Sequence, residues 1–90
     1  MNMSGIRRLV VDVLIPNNLP IEELSLKLSE LRGVEGVDIL IQEVERKVQA
    51  SKITIEGANI DFEAVKNAFN QMGASLQSVD RVTTGKRIVG

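Results

Sequence analysis

Three carboxylates, Asp12, Asp38 and Glu56, are the side chains of this sequence best placed to do chemistry. Asp12 interrupts Leu9-Val10-Val11-Asp12-Val13-Leu14-Ile15, an otherwise aliphatic run. An acid inside such a strand costs stability unless it reaches water, a donor or a cation, and Val or Thr would serve the strand better. If a later hairpin sets Gln42 against Lys52, the same register sets Asp38 against Glu56, on the face that carries Asp12. Opposed acids repel unless a cation or a basic side chain stands between them. All-oxygen ligands of this kind suit Ca²⁺ or Mg²⁺ rather than zinc. The competing expectation is that the acids are solvated, or pair with Arg7, Arg8 or Lys52 within or between subunits.

Other chemistry is narrowed by what the chain lacks. It has no Cys, which removes disulfides and thiolate metal sites, and no His, which removes the usual general base. A Lys or carboxylate base remains formally open, but no nucleophile–base pair is legible, so the expectation is a non-enzyme. The aromatics are Phe62 and Phe69 alone, which leaves no stacking platform for RNA on the strands. Eleven basic residues against 12 acidic ones give a formal charge of −1, unlike a general nucleic-acid binder. The turn Pro16-Asn17-Asn18-Leu19-Pro20 meets a helix N-terminus that could attract an anion, but Glu22 and Glu23 already occupy that positive end. No apolar run reaches the roughly 18 residues of a membrane span, and no signal peptide is expected from Met1 to Arg8. The expected setting is soluble and cytoplasmic.

The elements that must position the acids follow from periodicity. Ninety residues suffice for one domain, 1–90. Strand one is expected from Ile6 to Ile15, with its odd positions in the core and its even positions on a half-wet face. Helix one runs from Pro20 to Arg32, with Ile21, Leu24, Leu28 and Leu31 on one face and Gly33 as its stop. Strand two, from Val37 to Val44, turns Val37, Ile39 and Ile41 one way and Asp38, Leu40, Gln42 and Val44 the other. Glu45 to Val48 make a hairpin turn, and strand three follows from Gln49 to Glu56. Asp61 caps helix two, whose stripe is Phe62, Val65, Phe69 and Met72. In the fourth strand, Ser75 to Thr83, Leu76 and Val79 lie three apart, a slip in alternation that points to a bulge or a late start of the strand. Residues 1–5 and 85–90 are expected to be flexible or oligomer-contacting tails.

The two helical stripes superpose at an offset of 41 residues, Ile21 on Phe62 through Leu31 on Met72. Two strand–helix–strand units joined by a hairpin predict an α+β, ferredoxin-like βαββαβ two-layer sandwich. Its four-stranded antiparallel sheet carries both helices on one face, with strands one and three central.

The segments Ile6-Arg7-Arg8-Leu9-Val10, Leu28-Ser29-Glu30-Leu31, Gly33-Val34-Glu35-Gly36-Val37, Thr54-Ile55-Glu56-Gly57 and Gly85-Lys86 stand in one order. Together with Asp12-Val13-Leu14 and Pro16 they resemble an archaeal domain-of-unknown-function family, the two hundred and eleventh of its series. The resemblance spans Ile6 to Val89. It implies a ferredoxin-like fold, a homo-oligomer and no established activity. Members often carry His after the first proline, where this chain has Asn17, so no histidine role carries over.

On the open face of the sheet, Val10, Leu14, Leu40 and Val44 are many aliphatics to leave in water. The expectation is a self-assembling module, in a ring or other closed assembly, joined through that face or an edge strand. The alternative is a domain that senses a small molecule or a divalent cation.

Overall fold

Strand β1 (Ile6–Pro16) organises the molecule because its alternation is the cleanest in the chain. The computed structural model describes residues 5–90. Leu9, Val11, Val13 and Ile15 are at most 1 % exposed, while Val10, Asp12 and Leu14 are half-buried. After β1 come α1 (Ile21–Ser29), β2 (Val34–Val44), β3 (Val48–Gly57), α2 (Phe62–Met72) and β4 (Ser75–Thr84). The sheet order is β2-β3-β1-β4, with antiparallel neighbours throughout. This is the ferredoxin-like α+β sandwich, with β1 and β3 central as expected.

The helical stripes build the other half of the core. Leu24 and Leu28 of α1, and Val65, Ala68 and Phe69 of α2, are buried against the odd positions of β1 and against Ile53 and Ile55. Ile21, Leu31, Phe62 and Met72 pack at its margin. Asp61 caps α2 by accepting from the Ala64 amide at 3.1 Å, and Gly73 ends it at φ 79°. Helix α1 is shorter than its stripe. Glu30 and Leu31 bond to carbonyls three residues back, which tightens and ends the helix before Arg32.

Irregular pairings reposition the outer strands. On β4, Ser78 pairs with Asp12 but Leu76 with Val13, and Arg81 pairs with Val10 but Val79 with Val11. Gln77 and Asp80 are therefore extra residues, two bulges that explain the three-residue spacing of Leu76, Val79 and Val82. Of the two expected explanations for the Leu76–Val79 spacing, a bulge or a late start, the bulge is the one present, since β4 starts at Ser75. In β2, Gln42 is also extra, because Ile41 faces Ser51 while Glu43 faces Ala50.

The register of the β2–β3 hairpin, together with the Gln42 bulge, brings two corrections. Val44 pairs with Gln49, which pairs in turn with the core residue Ile15, so Val44 falls on the helix side and not on the open face. Beyond the bulge Lys52 faces Leu40, Asp38 faces Thr54 and Glu56 faces Gly36. The expected pairing of Gln42 with Lys52 and Asp38 with Glu56 is displaced by two residues.

Two motifs of the resemblance are packing devices. A Cβ on Gly57 would overlap the carbonyl of Gly33, which itself adopts φ 86° and accepts the Ala58 amide at 2.9 Å. Asn17 donates its side-chain amide to the carbonyls of Glu45 and Arg46 at 2.9 and 3.1 Å, and its backbone N–H to Lys47. It ties the β1–α1 turn to the β2–β3 hairpin. Of the expected tails, residues 1–4 lie outside the described residues. Gly5 accepts a hydrogen bond from the Gly85 amide at 3.1 Å, and Gly90 accepts one from Arg8 at 3.2 Å.

Candidate functional site

The open face of the sheet gathers its charges around Lys52. Even positions of the central strands must point away from the helices, so β1 contributes Arg8 and Asp12, and β3 contributes Lys52 and Glu56. Cα pairing then sets Asp12 directly against Lys52, and Arg8 against Glu56. The bulge at Asp80 adds a third strand, because an inserted residue lets both Asp80 and Arg81 lean to the open side.

The resulting network is close-knit. Lys52 Nζ lies 2.8 Å from Asp80 Oδ2 and 3.1 Å from Asp12 Oδ1. Ser78 Oγ donates to Asp80 at 2.9 Å and stands 3.4 Å from Asp12 Oδ2. Arg8 Nε donates to Glu56 at 2.8 Å. Asp12 Oδ1 is shut off from solvent, and the Lys52 ammonium 3.1 Å away is the cation that compensates it. Hydrogen bonding from Lys52, then from Ser78, holds the Asp80 carboxyl below the usual carboxylate range. Asp80, then Asp12, raises Lys52 above the ordinary lysine value.

This arrangement limits the chemistry. An ammonium held between two carboxylates stays protonated at neutral pH and does not offer the neutral amine that a Schiff base or a general base requires. It also stands where a cation between Asp12 and Asp80 would stand. Asp12 is thus engaged by Lys52, Glu56 by Arg8, and Asp38 is exposed on β2 opposite Thr54. Among the described residues, no three Asp or Glu side chains gather in a group that could hold a metal ion. Asp38 and Glu56 line one shallow depression, of about 230 Å³, and Asp12 lines another, of about 170 Å³.

Ser78 and Asp80 escaped sequence reasoning, although the signal was present. Leu76, Val79 and Val82 repeat every three residues, and on a strand that spacing requires an extra residue between each pair. Those extra residues are Gln77 and Asp80.

Among the described residues no helix is long and apolar enough to cross a membrane. Comparison with known proteins gives a relative but no activity. An uncharacterized protein of Methanocaldococcus jannaschii, MJ0319, is 38 % identical over 87 residues, covering 97 % of this chain and 90 % of the relative. The model of the family DUF211, described as "Uncharacterized ArCR", matches residues 7–90. By that match across nearly its whole length, the chain belongs to the DUF211 family.

Proposed function

We propose that this chain is a non-enzymatic, self-assembling module whose role is exercised by its homo-oligomer or at the interfaces between subunits. The observation that carries this reading is a sudden loss of cover from β1 to β4. Val11 is 0 % exposed, yet its partner Val79 is 42 % exposed; Leu9 is 1 % exposed, yet its partner Val82 is 52 % exposed. Partners across an antiparallel pair share a face, so the helix layer covers the start of the edge strand, where Leu76 packs on the core, and leaves Val79 and Val82 bare. Full burial of a valine is worth roughly 1.5 kcal/mol or more, and a second copy can recover it. The free edge of β4 also presents unpaired backbone groups, which in a sheet protein are covered, blunted or used for association.

The open face contributes less to this reading than the edge. Its centre is occupied by paired charges, and Leu40, 56 % exposed, is its most exposed aliphatic. The alternative, a domain that senses a small molecule or binds Ca²⁺ or Mg²⁺, draws support from Asp12 Oδ1, shut off from solvent beside a second carboxylate, Asp80, on the same ammonium. A cation bound there would have to displace the Lys52 ammonium. Native mass spectrometry of the purified protein tests both readings, through the subunit count and any retained mass. A monomer carrying a bound metabolite or divalent ion would replace the first with the second.

A further inference from the structure

The opposite edges of the sheet carry opposite charge. Strand β2 contains Glu35, Asp38 and Glu43 and no basic residue, and all three acids are exposed. On the other edge, Asp80 is engaged by Lys52, and the segment after β4 adds Lys86 and Arg87, both exposed and without an acidic partner among the described residues. We infer that copies of this chain associate head to tail, the β4 edge and residues 85–90 of one copy docking on the β2 edge of the next. This rests on the self-assembly reading above and specifies its surface.

Strand direction fits. Strands β3 and β4 both run opposite to β1, and β2 runs opposite to β3. A copy displaced sideways along the sheet therefore brings its β2 antiparallel to β4, continuing the ladder with the open faces aligned. The antiparallel order sets the end of β4, with Lys86 and Arg87 beyond it, beside the start of the neighbour's β2, with Glu35 and Asp38. Packing agrees as well. Helix α1 lies over β2, so the neighbour brings a helix to the side of β4 where Val79 and Val82 are bare. A β2-to-β2 contact would instead oppose acids with acids and supply no base, which is unfavourable. A heterologous contact of this kind propagates from copy to copy and makes a closed ring where the rotation closes.

Charge reversal on each edge tests the inference. Two variants are needed, Glu35→Lys with Asp38→Lys, and Lys86→Glu with Arg87→Glu, with circular dichroism to establish that each folds. Each alone should weaken association by about tenfold or more, since like charges then face each other. An equimolar mixture should recover large species, because every contact between unlike variants is again complementary. Raising salt from 50 to 500 mM should move the native protein towards monomer, a readout that needs no variant. An assembly that is indifferent to salt, or a β2 variant that assembles as well as the native chain, would overturn the head-to-tail contact and leave self-assembly standing. A native monomer would remove both.

Discussion

The ammonium of Lys52 on β3 reaches over β1 to the carboxylate of Asp80 on β4, 2.8 Å away. One cation thereby links three of the four strands, with Asp12 beneath it on β1. Lys52→Met should leave Asp12 and Asp80 facing each other without a counter-charge. The variant is expected to melt below the native protein at neutral pH, and Ca²⁺ or Mg²⁺ should restore part of the loss. The native protein, its ammonium in place, should respond little to either ion. Thermal melts with and without 5 to 10 mM divalent salt, roughly, decide this. A native protein that gains as much from the ion as the variant does would mean that the cation binds elsewhere.

The same contact sets a pH dependence. Asp80 is held down in the fold by Lys52 first and Ser78 second. Its contribution is therefore complete above the unfolded aspartate value of about 3.9 and is lost as pH falls through the lower folded value. Lys52, raised by Asp80 and then Asp12, keeps its contribution below about 10.4 and loses it as pH rises through the raised value. Asp80→Asn should flatten the acid limb of a melting-temperature profile and leave the neutral plateau level. An acid limb of unchanged slope would show that the pair does not govern acid stability.

Leu24 and Val65 are both 0 % exposed, one on each helix, facing the odd positions of β1 and β3. Truncating either to Ala removes methyl groups from a closed core and should cost about 2–4 kcal/mol in urea melts. Losses below about 0.5 kcal/mol would place the stripes away from the core, since such values belong to surface changes.

At Gly57 a much smaller change should be severe. The added methyl of Gly57→Ala meets the Gly33 carbonyl, a backbone atom fixed by its bond from Ala58. Overpacking against backbone of this kind should cost about 3 kcal/mol or more. Gly36→Ala, with nothing within 4 Å of the new methyl, is the control and should cost far less. Equal losses would shift the explanation from steric overlap to the backbone freedom of glycine.

Periodicity carried the fold. The odd positions of β1 and the two stripes 41 residues apart needed only the strand period of two and the helix period of 3.6. Asp12 was legible as an anomaly because one acid among aliphatics stands out without any partner being known. Its partners were less legible, because they depend on register. The hairpin pairs Val44 with Gln49, one residue off the expected register, and the bulge at Gln42 adds a second, so that Asp38 faces Thr54 instead of Glu56; the bulge at Asp80 brings an acid from β4 into the network. A bulge changes which strand positions share a face, and alternation alone does not locate it. Val44 went to the wrong face for the same reason.

The bare Val79 and Val82 beside their buried partners make the central claim one about mass. Multi-angle light scattering on the native protein at micromolar concentration and low salt should report a defined multiple of 9.9 kDa. A single species at 9.9 kDa, unchanged as concentration rises, would contradict it.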